Sequence, residues 1–279
     1  MAEDKGYFAH DSAIRRIGVE SILMLGGGRA LLMQAAHPLV AAGIVQHSRY
    51  GDEPWRRLAR TMTALYTIVF GSRQEANRAG EKVRAVHTGV QGRLRERVGP
   101  FRRGMPYSAA DPELQLWVHA TLVDTGLVMY ERCVRRLEQA EREDFYDQMK
   151  VVGAIFGLPS KAQPRSLVDF EDYQRDLLAG TTLSIGNDAR AVAETVLRPP
   201  VPVPLWPTAR TLALLNVGLL PDPLRERYGL RFGLPERALL AASDRTARSL
   251  VVPLLPGPVR GLAPRRRSIP FALLAAFAR

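Results

Sequence analysis

Two short stretches of the chain carry the residue types best suited to chemistry. Arg57-Leu58-Ala59-Arg60-Thr61 and, further on, Arg84-Ala85-Val86-His87 together offer three guanidinium groups, a hydroxyl and an imidazole. Both stretches have helical rather than strand periodicity. Cations for carboxylates and an imidazole for a metal are what a helical pocket needs to hold a flat, dianionic, iron-bearing group such as haem. Each residue also has a plainer use. A histidine on an apolar face can serve in a core, Arg57 and Arg60 can pair with Asp52 or Glu53, and Thr61 can bond back to its own helix.

The remaining histidines are His10, His37, His47 and His119. His119 shares the apolar surroundings of His87 and is the alternative ligand, whereas His37, before Pro38, reads as a helix-end cap. No HExxH motif and no repeated ExxH pair is present, so a non-haem metal site finds no support. Gly26-Gly27-Gly28-Arg29 lacks the Lys-Ser/Thr of a phosphate loop and follows a helix, so a tight interhelical turn is expected there. Tyr66 and Trp117 read as core. Cys133 is the sole cysteine, which excludes an internal disulfide, and reads as a buried, inert thiol in a reducing cytoplasm.

The elements that must position these residues read as helices throughout. Helices are expected over Ser12–Leu25, Arg29–Ala36 and Leu39–His47, followed by a turn at residues 50–54. A long helix opens near Pro54 with Leu58, Met62, Leu65, Tyr66 and Val69 on its apolar face. Gly71 ends it, and Ser72-Arg73-Gln74-Glu75 has the form of a capping box for the helix that carries His87. Further helices are expected over Glu113–Gln139, Ala140–Phe156, Ser166–Ala179 and Asn187–Leu197. Proline density makes residues 198–207 extended, lying along the surface of the same core. Shorter helices follow over Thr208–Leu219, Pro223–Tyr228 and Pro235–Leu250, and no segment alternates as a strand would. The expected architecture is one all-α domain over residues 1–279, with a core at 12–197 and a helical extension at 198–279.

Composition narrows the partners. The net charge of +11 raises nucleic acid or an anionic membrane as candidates. Only four of the 39 basic residues are lysine, and the arginines are scattered through amphipathic segments rather than forming one stripe. A nucleic-acid binder is therefore ranked last. Residues 21–45 form the most hydrophobic window, but glycines, Arg29, Gln34, His37 and Pro38 interrupt it, so a buried helix pair is expected instead of a membrane span. The N-terminal dozen residues lack the apolar core of a signal peptide.

From about Gly26 to Gly180 the chain resembles the MpaB-type oxygenases, whose best-known branch is the rubber oxygenase, or latex clearing protein. The resemblance rests on Leu32-Met33-Gln34-Ala35-Ala36-His37-Pro38, on His47-Ser48-Arg49-Tyr50 with Pro54-Trp55, and on Arg57-Leu58-Ala59-Arg60-Thr61 ending at Phe70-Gly71. It continues through Arg84-Ala85-Val86-His87 and Tyr107-Ser108-Ala109-Ala110-Asp111-Pro112 into Leu116-Trp117-Val118-His119. It implies a globin-like core holding haem b, with His87 as the proximal iron ligand and Arg57, Arg60 and Thr61 on the distal side. By the same resemblance Arg84 would contact the cofactor, while His119, in apolar surroundings like those of His87, is the alternative contact. Arg60 stands where the rubber-degrading branch has lysine. Guanidinium stays charged and makes a poor metal ligand, so Arg60 is expected to pair with a propionate or a bound oxygen species. No carboxylate stands where that branch uses a distal glutamate; Gln46 and His47 lie nearest.

The function this implies is oxidation of a small apolar or unsaturated substrate with O₂. The basic surface and apolar tail would suit peripheral contact with a membrane. The rival reading is a non-catalytic helical protein that binds haem or another small ligand.

Overall fold

Side-chain caps and glycines set where the helices begin and end. The structure is a computed structural model that describes residues 6–47, 54–246, 248–249, 252–254 and 260, less a few side chains, that of Arg57 among them. Its helices are α1 (Ala13–Gly18), α2 (Gly27–Ala35), α3 (Pro38–His47), α4 (Pro54–Phe70), α5 (Arg73–Gly89) and α6 (Pro112–Cys133). They continue with α7 (Gln139–Phe156), α8 (Leu167–Ala179), α9 (Asn187–Leu197), α10 (Trp206–Gly218), α11 (Asp222–Arg227) and α12 (Leu234–Thr246). The protein is all-α, as expected. The expected turn at residues 50–54 falls mostly outside the described residues.

Where the capping pattern is strong, expectation and structure agree. Ser72 Oγ accepts from the Glu75 amide at 3.2 Å while Glu75 Oε2 accepts from the Ser72 amide at 2.9 Å, so the box that opens α5 is complete. Asp111 caps α6 through the Glu113 amide at 2.9 Å. Ser166 caps α8 through the Asp169 amide at 3.1 Å.

Four expectations are corrected. The first helix breaks after Gly18, because Glu20 is extended and its buried carboxylate is held by Arg260 at 2.9 Å; a 3₁₀ turn, Ser21–Gly26, follows. The glycine run is not an interhelical turn but the helical junction between that turn and α2. A Cβ on Gly26 would lie 2.6 Å from Met129, one on Gly27 would lie 2.9 Å from Leu58, and one on Gly28 would lie 2.8 Å from Asn216. Close approach by neighbouring helices, not a turn, is what requires the glycines. A two-stranded antiparallel sheet also forms, β1 (Gln91–Arg93) with β2 (Pro106–Ser108), too short to leave an alternating pattern. Finally, the end of the proline-rich stretch is not extended: Val203–Leu205 forms a 3₁₀ turn that leads into α10 at Trp206, and Val203, Leu205 and Trp206 turn outward, Trp206 being 61% exposed.

The core is centred on α2 and α6. Leu32 and Met33 of α2 and Val123 of α6 are fully buried, and Trp117 donates its indole N–H to the Met33 carbonyl at 3.1 Å. Each large apolar side chain sequestered this way contributes about 1.5–3 kcal/mol. Among the described residues no single helix is long and apolar enough to cross a membrane. The apolar stretch Ser21–Ala35 with Pro38–His47 bends by 114° and is packed within the protein.

Much of the arginine excess has a structural duty. Arg15 donates to the Val69 and Phe70 carbonyls that end α4. Arg227 donates to the carbonyls of Leu178, Gly180 and Leu183 beyond α8. Arg29 and Arg225 do the same for α10. Helix C-termini leave carbonyls unsatisfied and carry partial negative charge, so a cationic fork of donors suits them.

Candidate functional site

Helices α4 and α5 form an antiparallel hairpin that sets the site residues at one level. Gly71 makes the turn, since a Cβ there would fall 2.5 Å from the Thr67 carbonyl oxygen. Arg57 and His87 stand at similar distances from that turn, as do Arg60 and Arg84. The hairpin therefore brings Arg57-Leu58-Ala59-Arg60-Thr61 and Arg84-Ala85-Val86-His87 to the same end of the molecule. Arg60 and Thr61 are exposed, while His87, in the last turn of α5, is half-buried. Val86 beside it is 63% exposed, so an apolar surface adjoins the imidazole.

Arg84 faces the other way along the hairpin. Its guanidinium donates to the Ile155 carbonyl near the end of α7. Its aliphatic stem lies against Gly157, whose φ of +102° ends α7 in a left-handed turn; a Cβ there would be 3.0 Å from Arg84 Cδ. Gly80 lets the two helices touch, since a Cβ at that position would meet the Ile155 carbonyl oxygen at 2.5 Å. In this conformation Arg84 anchors the end of α5 on α7.

His119 is held apart from this group. It is fully enclosed on α6, and its ring lies against Gly153 of α7, where a Cβ would come within 3.2 Å of Nε2. Gly153 and Ile155 lie on opposite sides of α7, given about 100° of rotation per residue. α7 therefore stands between His119 and Arg84. Burial lowers the His119 pKa to about 4, against a small upward pull from the Met149 backbone.

The other candidates are placed as follows. His37 Nδ1 accepts from the Leu39 amide at 3.3 Å, so the bond caps the start of α3 rather than the end of α2 as expected, and burial lowers its pKa to about 4. His47 packs edge-on against Tyr107 at 6.1 Å, and Gln46 donates to the Arg93 carbonyl at 3.4 Å. Tyr66 and Trp117 are core residues and Cys133 is buried, as expected.

Sequence reasoning missed Arg29. Its backbone amide donates to Asn216 at 2.6 Å, and its side chain reaches the Leu219 carbonyl at 2.7 Å, Thr125 at 2.7 Å and Asp124 at 2.6 Å. The one available signal was a charged residue inside the most hydrophobic window of the chain.

Among the described residues, no three His, Cys, Asp or Glu side chains converge as a metal site. Two clefts, of about 410 and 550 Å³, are lined by other residues than those named for the hairpin.

A family model described as "ER-bound oxygenase mpaB/B'/Rubber oxygenase, catalytic domain" matches residues 14–252. The chain belongs to this family. Membership in the mpaB/rubber oxygenase family covers both the hairpin and the α2–α6 core. Similar relatives include two proteins named only as uncharacterized, from Mycobacterium bovis (strain ATCC BAA-935 / AF2122/97) and Mycobacterium tuberculosis (strain ATCC 25618 / H37Rv). Each is 26% identical over 193 residues, 67% of this chain and 71% of the relative. No solved structure matches the chain.

Proposed function

We propose that this member of the mpaB/rubber oxygenase family is a haem-b-dependent oxygenase acting with O₂ on a small apolar or unsaturated substrate, with His87 as the axial iron ligand. The observation that carries the reading is the α4–α5 hairpin, which sets an imidazole, two arginines and a threonine at one end beside exposed Val86. The donor chemistry fits. A lone histidine cannot by itself hold a bare metal ion, but one imidazole suffices for iron already held by four porphyrin nitrogens. When bound, haem supplies the redox chemistry that activates dioxygen.

The chain's own residues then have distinct tasks. His87 would offer an imidazole nitrogen to the iron. Arg57 and Arg60 supply permanent charge and N–H donors for carboxylates, and Thr61 adds a hydroxyl. Arg84, bonded to the Ile155 carbonyl, positions α5 and with it His87. A globin-like seating of the cofactor and peripheral attachment to a membrane in the cytoplasm belong to the same reading.

The deciding measurement is the absorption spectrum of protein supplied with haem and passed through gel filtration. A persistent Soret band is expected in the wild type and in His119→Phe, and its loss in His87→Ala. A wild-type protein that emerges colourless would overturn the assignment. A band that survives His87→Ala and vanishes in His119→Phe would move the ligand to α6.

A further inference from the structure

The two-stranded ribbon that follows α5 carries charge that the fold does not use. Residues 93–103 hold five arginines, Arg93, Arg95, Arg97, Arg102 and Arg103, against one acidic residue, Glu96. All five are exposed. Strand alternation puts three of them outside: Leu94 and Val98 turn inward, at 3% and 7% exposure, and arginine takes positions 93, 95 and 97. Leu94 packs with Leu39, Ala42, Tyr107 and Leu114. Glu96 is committed to the start of α9, accepting from the Asn187 amide at 2.6 Å and from Asn187 Nδ2 at 2.8 Å.

The backbone beneath these charges is fixed. Val98 and Phe101 exchange two amide–carbonyl bonds of 3.0 Å, and the Gly104 amide donates to the Leu94 carbonyl at 2.8 Å. Gly99, at φ +52°, has no room for a Cβ beside Ser184. Unlike Arg15, Arg29, Arg225 and Arg227, the ribbon arginines close no helix end. Arg93 Nη1 donates across the ribbon to the Gly104 carbonyl at 2.9 Å, and the charge of Arg95 faces Asp188 and Tyr107. Arg97, Arg102 and Arg103 make no side-chain hydrogen bond or ion pair with a described residue. From Arg97 to Ala110 no acidic residue occurs, and Asp111 lies at the base of the ribbon, where it caps α6.

Apolar side chains are exposed alongside. Met105, on the return limb, is 40% exposed, and Val86, in the last turn of α5 just ahead of the ribbon, is 63% exposed. Guanidinium groups interspersed with exposed apolar side chains suit an anionic bilayer surface, where the first meet headgroups and the second enter the acyl boundary. Against a nucleic-acid backbone the apolar side chains would find no partner.

We infer that the β1–β2 ribbon docks the protein on a bilayer containing anionic phospholipid, with Arg97, Arg102 and Arg103 at the headgroups and Met105 seated among them. This rests on the peripheral attachment proposed above and names the surface that makes it. Docking there turns the end of α5, with Val86 and His87, towards a source of apolar substrate.

Co-sedimentation of the full chain with vesicles tests this, using equimolar phosphatidylcholine and phosphatidylserine against phosphatidylcholine alone. The wild type should pellet with the first and not the second, and should be released as salt is raised. Each arginine near an anionic surface strengthens binding about fivefold, so Arg97→Gln, Arg102→Gln and Arg103→Gln together should weaken it about a hundredfold. The same three positions changed to lysine should keep binding within about fivefold. Trp206→Ala, on the exposed turn beyond the other end of α9, and His87→Ala should both bind as the wild type does. A wild type that ignores anionic vesicles would overturn the attachment and the ribbon together. Undiminished binding in the triple glutamine variant, or loss in Trp206→Ala instead, would overturn the ribbon alone. Tighter retention on double-stranded DNA than on vesicles at equal salt, lost in the triple glutamine variant, would overturn it in favour of nucleic acid. The Soret band reads the haem assignment separately, and thermal melts show that each variant keeps its fold.

Discussion

The C-terminal ends of α10 and α5 are finished in opposite ways. At α10 two buried arginines supply the donors, Arg29 at 2% exposure and Arg225 at 6%, and each is tied to a carboxylate as well. At α5 the last turn ends in Gly89, around which a Cβ would meet nothing within 4 Å, and His87 sits half-buried one turn short of solvent. A buried helix end must find its donors within the protein; an exposed one can use water. The comparison separates charges that complete the fold from those, such as Arg60, that lie exposed at the hairpin end.

The largest effect should come from breaking the closed end. Arg29→Ala strands Asp124 and the Leu219 carbonyl and should cost about 3–5 kcal/mol, read from denaturant unfolding. Arg60→Ala, at the open end, should move the same midpoint little.

Acid should come next. His119 stays neutral in the folded protein down to about pH 4, whereas unfolded histidine takes up a proton near pH 6.5. Between those values the unfolded chain binds more protons, so stability is full above about pH 6.5 and falls as the pH drops towards 4. Buried His37 has the same sign. The loss attributable to His119 is on the order of 3 kcal/mol and should flatten in His119→Phe, measured as unfolding midpoint against pH.

Two glycine substitutions sharpen the contrast further. Gly153→Ala would place a methyl 3.0 Å from Gln163 and 3.2 Å from His119, and should destabilise by about 1–3 kcal/mol. Gly89→Ala, in open space at the end of α5, should be neutral or stabilise by up to about 1 kcal/mol. Thermal melting of the pair checks both.

What could be read from sequence followed the range of the interaction. The Ser72–Glu75 box lies within three residues and was legible, and the Asp111 and Ser166 caps are equally local. The break at Gly71 between α4 and α5 was legible too. Arg29, by contrast, is satisfied by Asp124, Thr125, Asn216 and Leu219, none of which its own neighbourhood announces. The glycine run was misread for the same reason: the atoms that forbid a Cβ belong to α6, α4 and α10. Arg84 matched a short motif, yet what it touches, the Ile155 carbonyl, depends on where α7 packs.

The triple glycine has a consequence for biosynthesis. Residues near the start of the chain are sealed by Asn216, which bonds the Arg29 amide and presses against Gly28. A ribosome must therefore deliver roughly three quarters of the polypeptide before the N-terminal third has its final neighbours. Until then the apolar α2 segment lacks part of its covering, and a product truncated ahead of α10 should be more open to proteases than the full chain.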